Sequence, residues 1–513
     1  MEVQIVEARG DVARAIKVSV VVPVYNPGPH MDDLVRSVLG QSLCRAEYEV
    51  VFVDDGSTDG TAARLDELAA RHRVVRVAHI PNSGWPGRPR NVGTDMARGE
   101  FVLFVDHDDW LGAEALKRLY DRAVVDGADV VVGKVVGRGK PVPRALFVAN
   151  RSGLDVTWSP LLTLLSPHKL FRRAFLTEHG IRFPEGRRRL EDHAFVAEAY
   201  LRAAGRISVL ADYPCYHWAL RADRGNASWM QMDPAGYFAN LGEVLDIVEA
   251  RVPSGPLRDE LFAHWYGSKA LARLGGAAFL RREPAHNRDV YDEIRRLVQE
   301  RFPARLDRFL SLAMRVRSHL VRTDSFAALT DLARFERSLK ARVRLLDVEY
   351  DEAGVRLRYE ARLRSPETRL VFRPHGSRIA WQPPREIAHQ LDGADLDATD
   401  ELRHATAPAV LRAVADRAEY SLPAHTATEL VAGARGLIRP VVSATTRLDV
   451  RDAAAGAPLP DGEWELEVPV EICGFAAATR TMRTAGPDGN DRDAGRRAPL
   501  VFGLDERGLR RSA

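Results

Sequence analysis

The chain has 513 residues, of which 45% are hydrophobic and 28% are charged, as is typical of a globular protein with several domains. The formal net charge of +3 does not favour a nucleic-acid-binding protein. Three scattered cysteines form neither a zinc-binding spacing nor a disulfide framework, which is typical of a reducing compartment. We find no signal peptide and no apolar run long enough to span a bilayer. We therefore expect a cytoplasmic protein that meets any membrane-bound substrate from the surface.

The first third of the chain alternates predicted strands and helices, the pattern of a mostly parallel α/β sheet. Four apolar runs predict buried strands at residues 18–24, 49–53, 74–80 and 101–105. A turn at residues 25–28 follows the first strand. This position has neither the glycine pattern of a Rossmann dinucleotide site nor that of a P-loop, so both classes are disfavoured.

Two of the predicted strands end in acidic residues. Asp54 and Asp55 follow the second strand, and Asp106, Asp108 and Asp109 follow the fourth. The carboxyl ends of parallel strands share one edge of the sheet, where ligands bind in open α/β folds. Carboxylates suit Mg²⁺ or Mn²⁺, so the pattern favours a divalent ion held against a nucleotide diphosphate. Each cluster alone is also explained by an ordinary turn or helix cap.

Four segments, in order, resemble the GT-A glycosyltransferases of family 2: residues 18–26 (VSVVVPVYN), 53–61 (VDDGSTDGT), 82–93 (NSGWPGRPRNVG) and 105–110 (VDHDDW). The resemblance implies a nucleotide-sugar donor and a DXD motif that binds Mn²⁺ or Mg²⁺. By position, it implies that the base and ribose contact Pro23, Tyr25 and Asp55. It implies further that Asn82 and Arg90 flank the base and diphosphate. The resemblance assigns Asp106 to the ribose or sugar and Asp108 to the metal.

The middle third contains a candidate general base. Glu191 and Asp192 open a predicted apolar helix, a place where acids are also common because of the helix dipole. Transfer with inversion needs a carboxylate that accepts the proton of the acceptor hydroxyl. The resemblance places this base at a Glu-Asp pair after the Asp-x-Asp motif. It therefore implies Asp192 as the base, with Glu191 positioning it.

Residues 215–228 are polar, basic and glycine-containing, and we predict a loop there. The predicted loop would close over a diphosphate or bind an acceptor phosphate, and a solvated surface loop is the alternative. The residues that would contact these groups are His217, Arg221, Arg224 and Ser228.

Three motifs, PGxPRN, RRLED and RxxRGNxS, most resemble the wall-teichoic-acid glycosyltransferases. This resemblance implies transfer of N-acetylglucosamine from a UDP-sugar to poly(ribitol phosphate), a helical linker, and C-terminal β-domains that form a homotrimer. Three consecutive arginines at residues 187–189 would suit such an anionic glycopolymer, and would equally suit solubility. The alternatives are a transferase for capsular or other surface polysaccharide and a non-catalytic polymer-binding protein.

The remaining sequence predicts a change from helix to strand. Residues 233–345 have helical apolar spacing, and the basic excess at 301–344 favours a phosphate-rich polymer, an anionic membrane surface or the solvated face of a bundle. From residue 346 apolar residues alternate with polar ones, as in half-buried antiparallel strands. We predict a GT-A domain at 1–232, a linker at 233–345, and β-sandwiches at 346–425 and 426–513.

Overall fold

The computed structural model describes residues 4–6, 15–220, 232–365, 370–454, 456–484, 497–505 and 508–511. The chain divides into two compact units. The first comprises Met1–Pro253 with Ala455–Ala457, and the second comprises Ser254–Ala454 with Pro458–Ala513. Within the described ranges, no helix combines the length and apolar character needed to cross a bilayer.

The described elements of the first unit alternate between strand and helix. Its strands are β1 (Gln4–Val6), β2 (Val18–Val24), β3 (Tyr48–Asp54), β4 (Val75–His79), β5 (Phe101–Phe104), β6 (Trp110–Leu111), β7 (Val130–Arg138), β8 (Arg151–Leu154), β9 (Leu170–Arg172) and β10 (Ile207–Ala219). Its helices are α1 (Met31–Leu39), α2 (Thr61–Arg71), α3 (Gly87–Met96), α4 (Ala115–Asp126), α5 (Arg173–Glu178), α6 (Glu191–Arg202) and α7 (Pro234–Arg251).

A mostly parallel sheet forms the core of this unit, in the order β1-β4-β3-β2-β5-β9-β7, with β10 beside β7. Strands β4, β3, β2 and β5 run parallel, whereas β9 is antiparallel to both of its neighbours. Every residue of β2 and β3 is buried, which is why these strands are continuous apolar runs in the sequence. The predicted parallel sheet is confirmed.

Helix α3 packs closely on β2 and β3, and this contact requires a glycine. A Cβ atom at Gly93 would lie 2.3 Å from Cγ1 of Val21 and 3.3 Å from Cγ2 of Val53. The helix is also tied to a later segment, because the side chain of Asn91 bonds the backbone of Phe183 in both directions, at 2.9 Å each. The contacts of α3 therefore fix both the sheet edge and the chain that leads into α6.

Aromatic packing holds the start of α6 against the sheet. The ring of Phe195 in α6 stacks on Phe183 at 3.9 Å, and both rings meet Phe104, the last residue of β5, edge to face. Phe171 of β9 completes the cluster at 5.2 Å from Phe195. Since Glu191 and Asp192 begin α6, this packing brings the predicted base toward the end of β5.

The second unit is helical first and then β-rich. Its helices are α8 (Pro256–Trp265), α9 (Gly276–Arg281), α10 (Pro284–Arg301), α11 (Leu312–Arg322), α12 (Phe326–Ser338) and α13 (Arg385–Ala388). Its strands are β11 (Lys340–Asp351), β12 (Gly354–Arg364), β13 (Phe372–His375), β14 (Arg378–Trp381), β15 (Ala409–Ala413), β16 (Ala418–Leu422), β17 (Ala424–Ala432), β18 (Ile438–Asp449), β19 (Gly462–Ile472), β20 (Phe475–Thr479), β21 (Thr481–Thr484), β22 (Arg497–Pro499), β23 (Val501–Asp505) and β24 (Gly508–Arg511).

The predicted change from helix to strand is confirmed, and buried and exposed residues alternate along β12 and β19. Strand pairing, however, does not follow the predicted division near residue 425. Strand β12 pairs with β18, and β15 pairs with β19, so each pairing joins strands from both sides of that position. The three boundaries between the four predicted domains stay predictions, and these pairings weigh against the last of them.

Candidate functional site

The two acidic clusters lie at the carboxyl edge of the parallel strands. Asp54 ends β3 and Asp55 follows it, while Asp106 comes two residues after the end of β5. Strand β2 lies between β3 and β5 in the sheet. The clusters therefore flank the end of one central strand, because parallel strands direct their carboxyl ends to the same side.

Asp55 and Asn82 are in direct contact. The Asn82 amide donates to the backbone carbonyl of Asp55 at 2.7 Å, and the Asp55 carboxylate accepts from the backbone N–H and the hydroxyl of Ser83 at 2.8 and 2.9 Å. Burial raises the pKa of Asp55, although the bonds from Ser83 oppose the shift. Gly56 has φ +71°, and a Cβ there would lie 2.7 Å from the Asn82 nitrogen. The close approach fixes both residues beside the end of β3.

Pro23 and Tyr25 lie at the end of β2 and just beyond it. The Pro23 carbonyl lies 3.3 Å from Nδ1 of His107, which links β2 to the acidic segment after β5. The side chain of Tyr25 is 47% exposed, so its ring is accessible to a ligand. Next to it, Asn26 accepts from the Thr58 backbone N–H at 2.8 Å and joins the first loop to the second.

A buried arginine connects the sheet edge to the start of α6. Arg90, in α3, is only 4% exposed. Its Nη2 donates to the Asp106 carboxylate at 2.8 Å, and its Nη1 lies 3.4 Å from Oε1 of Glu191. The guanidinium also lies 5.2 Å from the centre of the Phe183 ring, a favourable cation–π distance. Three of the predicted site residues are thus in one contact network.

Asp106 has a second partner in the buried His168. Nε2 of His168 lies 3.0 Å from the Asp106 carboxylate, and the imidazole stacks on the Tyr216 ring at 4.2 Å. Burial alone would raise the pKa of Asp106, but Arg90 and His168 hold it well below its usual range. Burial lowers the pKa of His168. Asp106 is accordingly an ionised carboxylate at neutral pH.

Asp109 has the opposite electrostatic environment. Its carboxylate accepts from the Tyr216 hydroxyl at 2.6 Å and from the Ala219 backbone N–H at 2.8 Å. Burial, followed by the charges of Asp108 and Asp106, raises its pKa well above the usual range. Two neighbouring carboxylates whose pKa values move in opposite directions are typical of a functional site. Strand β10, which supplies Tyr216 and Ala219, therefore completes the acidic cluster.

Glu191 and Asp192 begin α6 beside a buried lysine. Burial and the charge of Asp192 raise the pKa of Glu191 to about 7, against the effect of Arg90. Lys169 is fully buried, donates to the Ser166 carbonyl, and lies 5.8 Å from the centre of the Tyr200 ring. Burial lowers its pKa to about 7, and the charge of Asp192 opposes that shift. The pair Glu191–Asp192 thus lies in a strongly perturbed electrostatic environment.

Comparison with known proteins identifies the family. Residues 19–180 match the family described as Glycosyl transferase family 2, and residues 234–333 match the Glycosyl transferase TarS linker domain. The poly(ribitol-phosphate) beta-N-acetylglucosaminyltransferase TarP of Staphylococcus aureus is 30% identical over 242 residues, which cover 71% of TarP and 44% of this chain. The chain belongs to glycosyltransferase family 2.

One further relative and one solved structure are similar to this glycosyltransferase. The poly(ribitol-phosphate) beta-glucosyltransferase of Bacillus spizizenii is 34% identical over 237 residues, which cover 46% of this chain and only 37% of that relative. The crystal structure of S. aureus TarS 1–349 in complex with UDP-GlcNAc matches with a TM-score of 0.55 at 27% identity, and covers 67% of this chain and 96% of that structure. The predicted GT-A fold is confirmed.

The donor set of the acidic cluster fits a divalent cation. One ligand atom each from Asp106, Asp109 and His168 lies within 4.8 Å of the others. Carboxylate oxygens and an imidazole nitrogen suit Mn²⁺, and a cation would oppose both the burial and the charge repulsion that raise the pKa of Asp109. Asp108, which the motif predicts as the metal ligand, is half-buried and is not part of this trio. Its role stays a prediction.

The predicted loop at residues 215–228 is wrong in its first part. Residues 215–219 form the end of β10, where His217 pairs with Val136 of β7 and with Trp110 of β6. The His217 ring is buried, stacks on Trp110 at 5.3 Å, and lies 3.3 Å from Nη2 of Arg138. The other three residues predicted here, Arg221, Arg224 and Ser228, lie outside the described residues.

Sequence reasoning missed several residues of the site. His168 and Lys169 precede the short strand β9. Asn91 follows Arg90 in a motif from which only the arginine is predicted as a site residue. Tyr216 lies in a segment whose glycine and arginines suggested a loop. The available signal was polar residues beside apolar strand residues, as in the sequence SPHKLF at 166–171. That signal does not identify the partner of each residue, because the contacting residues are 62 to 110 positions apart in the sequence.

Proposed function

We propose that this protein is an inverting, metal-dependent glycosyltransferase. It moves N-acetylglucosamine from UDP-N-acetylglucosamine to a hydroxyl of an anionic cell-wall polyol-phosphate polymer such as teichoic acid. The observation that carries the proposal is the contact of buried Arg90 with both Asp106, at the sheet edge, and Glu191, beside Asp192. This contact connects the predicted donor site to the predicted base.

The donor side would be built from the ends of β2, β3 and β5. The exposed Tyr25 ring and Pro23 would contact the uracil and ribose. Asp55, held by Ser83, and Asn82 would complete base recognition, since a mismatched base leaves a buried acceptor without its partner. Arg90 would act near the diphosphate through Asp106, because its guanidinium is already engaged by two carboxylates.

Asp192 would accept the proton of the acceptor hydroxyl as that oxygen attacks the anomeric carbon. Glu191 would hold Asp192 in place, and its contact with Arg90 would fix the start of α6 relative to Asp106. A divalent cation at Asp106, Asp108, Asp109 and His168 would supply Lewis-acid stabilisation of the departing diphosphate. His217, Arg221, Arg224 and Ser228 stay the predicted contacts of the acceptor or diphosphate.

Partners and location follow from the same proposal. The polymer is anionic, so the basic excess at residues 301–344 would favour it or an anionic membrane surface. We propose a cytoplasmic protein that works at the inner face of the membrane. The C-terminal β-rich region would mediate homo-oligomerisation, by analogy as a homotrimer.

A donor screen tests the proposal. Thermal shift of the full chain is measured with UDP-, GDP- and CDP-sugars, each with and without Mn²⁺, because a bound donor raises the apparent stability. Transfer to purified poly(ribitol phosphate) is then measured with UDP-N-acetylglucosamine and UDP-glucose. We expect stabilisation by UDP-sugars with Mn²⁺ and transfer of N-acetylglucosamine. Transfer of glucose alone would replace the sugar assignment, and stabilisation without transfer to any polymer would favour a binding protein.

A further inference from the structure

Two cations lie on indole rings at the end of the β7–β10 pair. The guanidinium carbon of Arg138 lies 5.3 Å from the Trp110 ring centre, and Nζ of Lys140 lies 4.6 Å from the Trp218 ring centre. Trp110 is itself stacked on His217 at an interplanar angle of 10°. Lysine and arginine lose freedom and water when they lie on an aromatic face, so both charges are held in place before any ligand binds.

The backbone fixes both cations at the strand ends. The Leu220 N–H donates to the Arg138 carbonyl at 3.0 Å, which extends the pairing of β10 with β7. A Cβ at Gly137 would lie 1.9 Å from the Lys140 carbonyl oxygen, so the chain turns tightly between these residues and requires glycine there. The turn brings Lys140 back over Trp218. Neither cation therefore depends on a flexible linker for its position.

These cations border the acidic cluster. The Ala219 N–H donates to Asp109, and the Trp218 ring lies 6.3 Å from His168, the partner of Asp106. Burial raises the pKa of Asp109, and the positive charge of Lys140 opposes that rise, as its proximity requires. Within the part of the chain that the structure describes, no carboxylate forms an ion pair with Lys140. No salt bridge among the described residues would therefore have to break when an anion binds Lys140.

We propose that Arg138 and Lys140 form a phosphate subsite for the acceptor, which binds the phosphodiesters on either side of the reacting polyol unit. This inference rests on the proposed function and names the residues by which that acceptor would be recognised. Arg138 lies on Trp110, which stacks on His217, whereas Lys140 lies on Trp218. His217 and Trp218 are consecutive in a strand and point to opposite faces, so the two cations lie on opposite sides of the strand end. A polyol-phosphate chain has one phosphate on each side of every sugar-accepting unit, which matches two separate cations.

The electrostatic reason is the sign of the neighbouring charge. The ionised carboxylate of Asp106 lies at this edge, and its charge would oppose the approach of an anionic polymer within the Debye length of roughly 8 Å at physiological salt. Cations at the rim of the cluster reverse the local potential where the polymer must enter. A neutral acceptor would gain nothing from them, so Arg138 and Lys140 would discriminate phosphodiester polymers from neutral glycans.

The test compares Lys140→Ala, Lys140→Arg and the control Arg151→Ala in the full chain. Arg151 also lies on an indole, 5.2 Å from the Trp158 ring centre, but it is in β8, which pairs with the opposite end of β10. We measure kcat and KM for a defined poly(ribitol phosphate) oligomer, KM for the donor, and direct binding of the oligomer by fluorescence anisotropy.

We expect Lys140→Ala to raise the oligomer KM and its dissociation constant roughly tenfold, with the donor KM unchanged, since a charge-assisted phosphate contact is lost. Lys140→Arg should retain most of the affinity for the oligomer, and Arg151→Ala should retain all of it. The difference in affinity between wild type and Lys140→Ala should shrink at about 1 M salt. An oligomer KM and affinity within twofold of wild type would overturn the subsite while leaving the transferase proposal intact. If Lys140→Ala bound the oligomer more weakly but the wild-type protein transferred no sugar to it, the subsite would stand and the transferase proposal would be overturned. A wild type that does not bind the oligomer would overturn both.

Discussion

Replacing Arg90 by methionine would break the contact that joins α3, the sheet edge and α6. Methionine has a similar length and no charge, so it removes the ion pairs with Asp106 and Glu191 while filling much of the same volume. The guanidinium is buried, and so is Glu191, so the carboxylates that remain cannot be fully solvated. The substitution therefore tests whether this network stabilises the start of α6.

The contacts set the expected magnitude. Removing one partner of a buried ion pair costs about 3–5 kcal/mol. Asp106 keeps His168 at 3.0 Å, and the Arg90–Glu191 distance of 3.4 Å is long for a hydrogen bond. The remaining partner and the weak second contact both reduce the loss, so we expect a cost near 3 kcal/mol. The control is Arg182→Met, because Arg182 binds both oxygens of Asp95 at 2.7 and 2.8 Å but is 50% exposed.

Hydrogen exchange read by mass spectrometry is the suitable assay, because a chain with two compact units need not unfold in one step. Peptides covering α3 and α6 should lose about 3 kcal/mol of protection in Arg90→Met, and peptides of the second unit should not change. Arg182→Met should cost less than 1 kcal/mol, as exposed pairs do. If the two variants lost equal protection, burial would not be the source of the stabilisation and the reasoning would be refuted.

Three further predictions use other parts of the first unit. Asp192→Asn should lower transfer by at least about 100-fold with donor affinity retained, and near-wild-type transfer by a folded variant would exclude Asp192 as the base. Gly93→Ala should cost about 1–3 kcal/mol of unfolding free energy, because its Cβ would lie 2.3 Å from a Val21 methyl. The control Gly242→Ala lies in α7 with open space around the new Cβ, and it should be neutral or stabilising by up to about 1 kcal/mol. Because the pKa of Glu191 is raised from 4.5 to about 7, ionisation favours the unfolded state between these pH values. The stability of Glu191→Gln relative to wild type should therefore rise between about pH 4.5 and 7 and then level off. A stability difference that does not depend on pH would contradict the shift.

The sheet of the first unit could be predicted because its strands are buried on both faces. The predicted strand at residues 18–24 is β2 without any shift, and the strand predicted at 49–53 is β3 extended by one residue at each end. Continuous valine runs are typical of strands in the middle of a parallel sheet. The carboxyl edge followed from topology alone, so the positions of Asp55 and Asp106 at that edge were accessible to sequence reasoning.

The end of β10 was not predictable in the same way. Residues 215–219 read Cys-Tyr-His-Trp-Ala, and the glycine and arginines that follow them favour a loop. The strand forms there because β7 supplies a parallel partner and β6 an antiparallel one, at positions about 80 and 105 residues earlier. Tertiary pairing overrides local composition in such a segment. The same reason hid Tyr216 and the bond of Ala219 with Asp109.

Charge compensation explains why the missed residues come from so many places. A single edge that gathers Asp55, Asp106 and Asp109 costs electrostatic free energy unless opposite charges or donors reach it. The chain brings Arg90 from a helix, His168 from the approach to β9, and Lys140 from the turn after β7. An acidic motif at a strand end therefore predicts positively charged or hydrogen-bonding side chains elsewhere in the sequence, and they should be sought in the other helices, strands and turns of the same sheet.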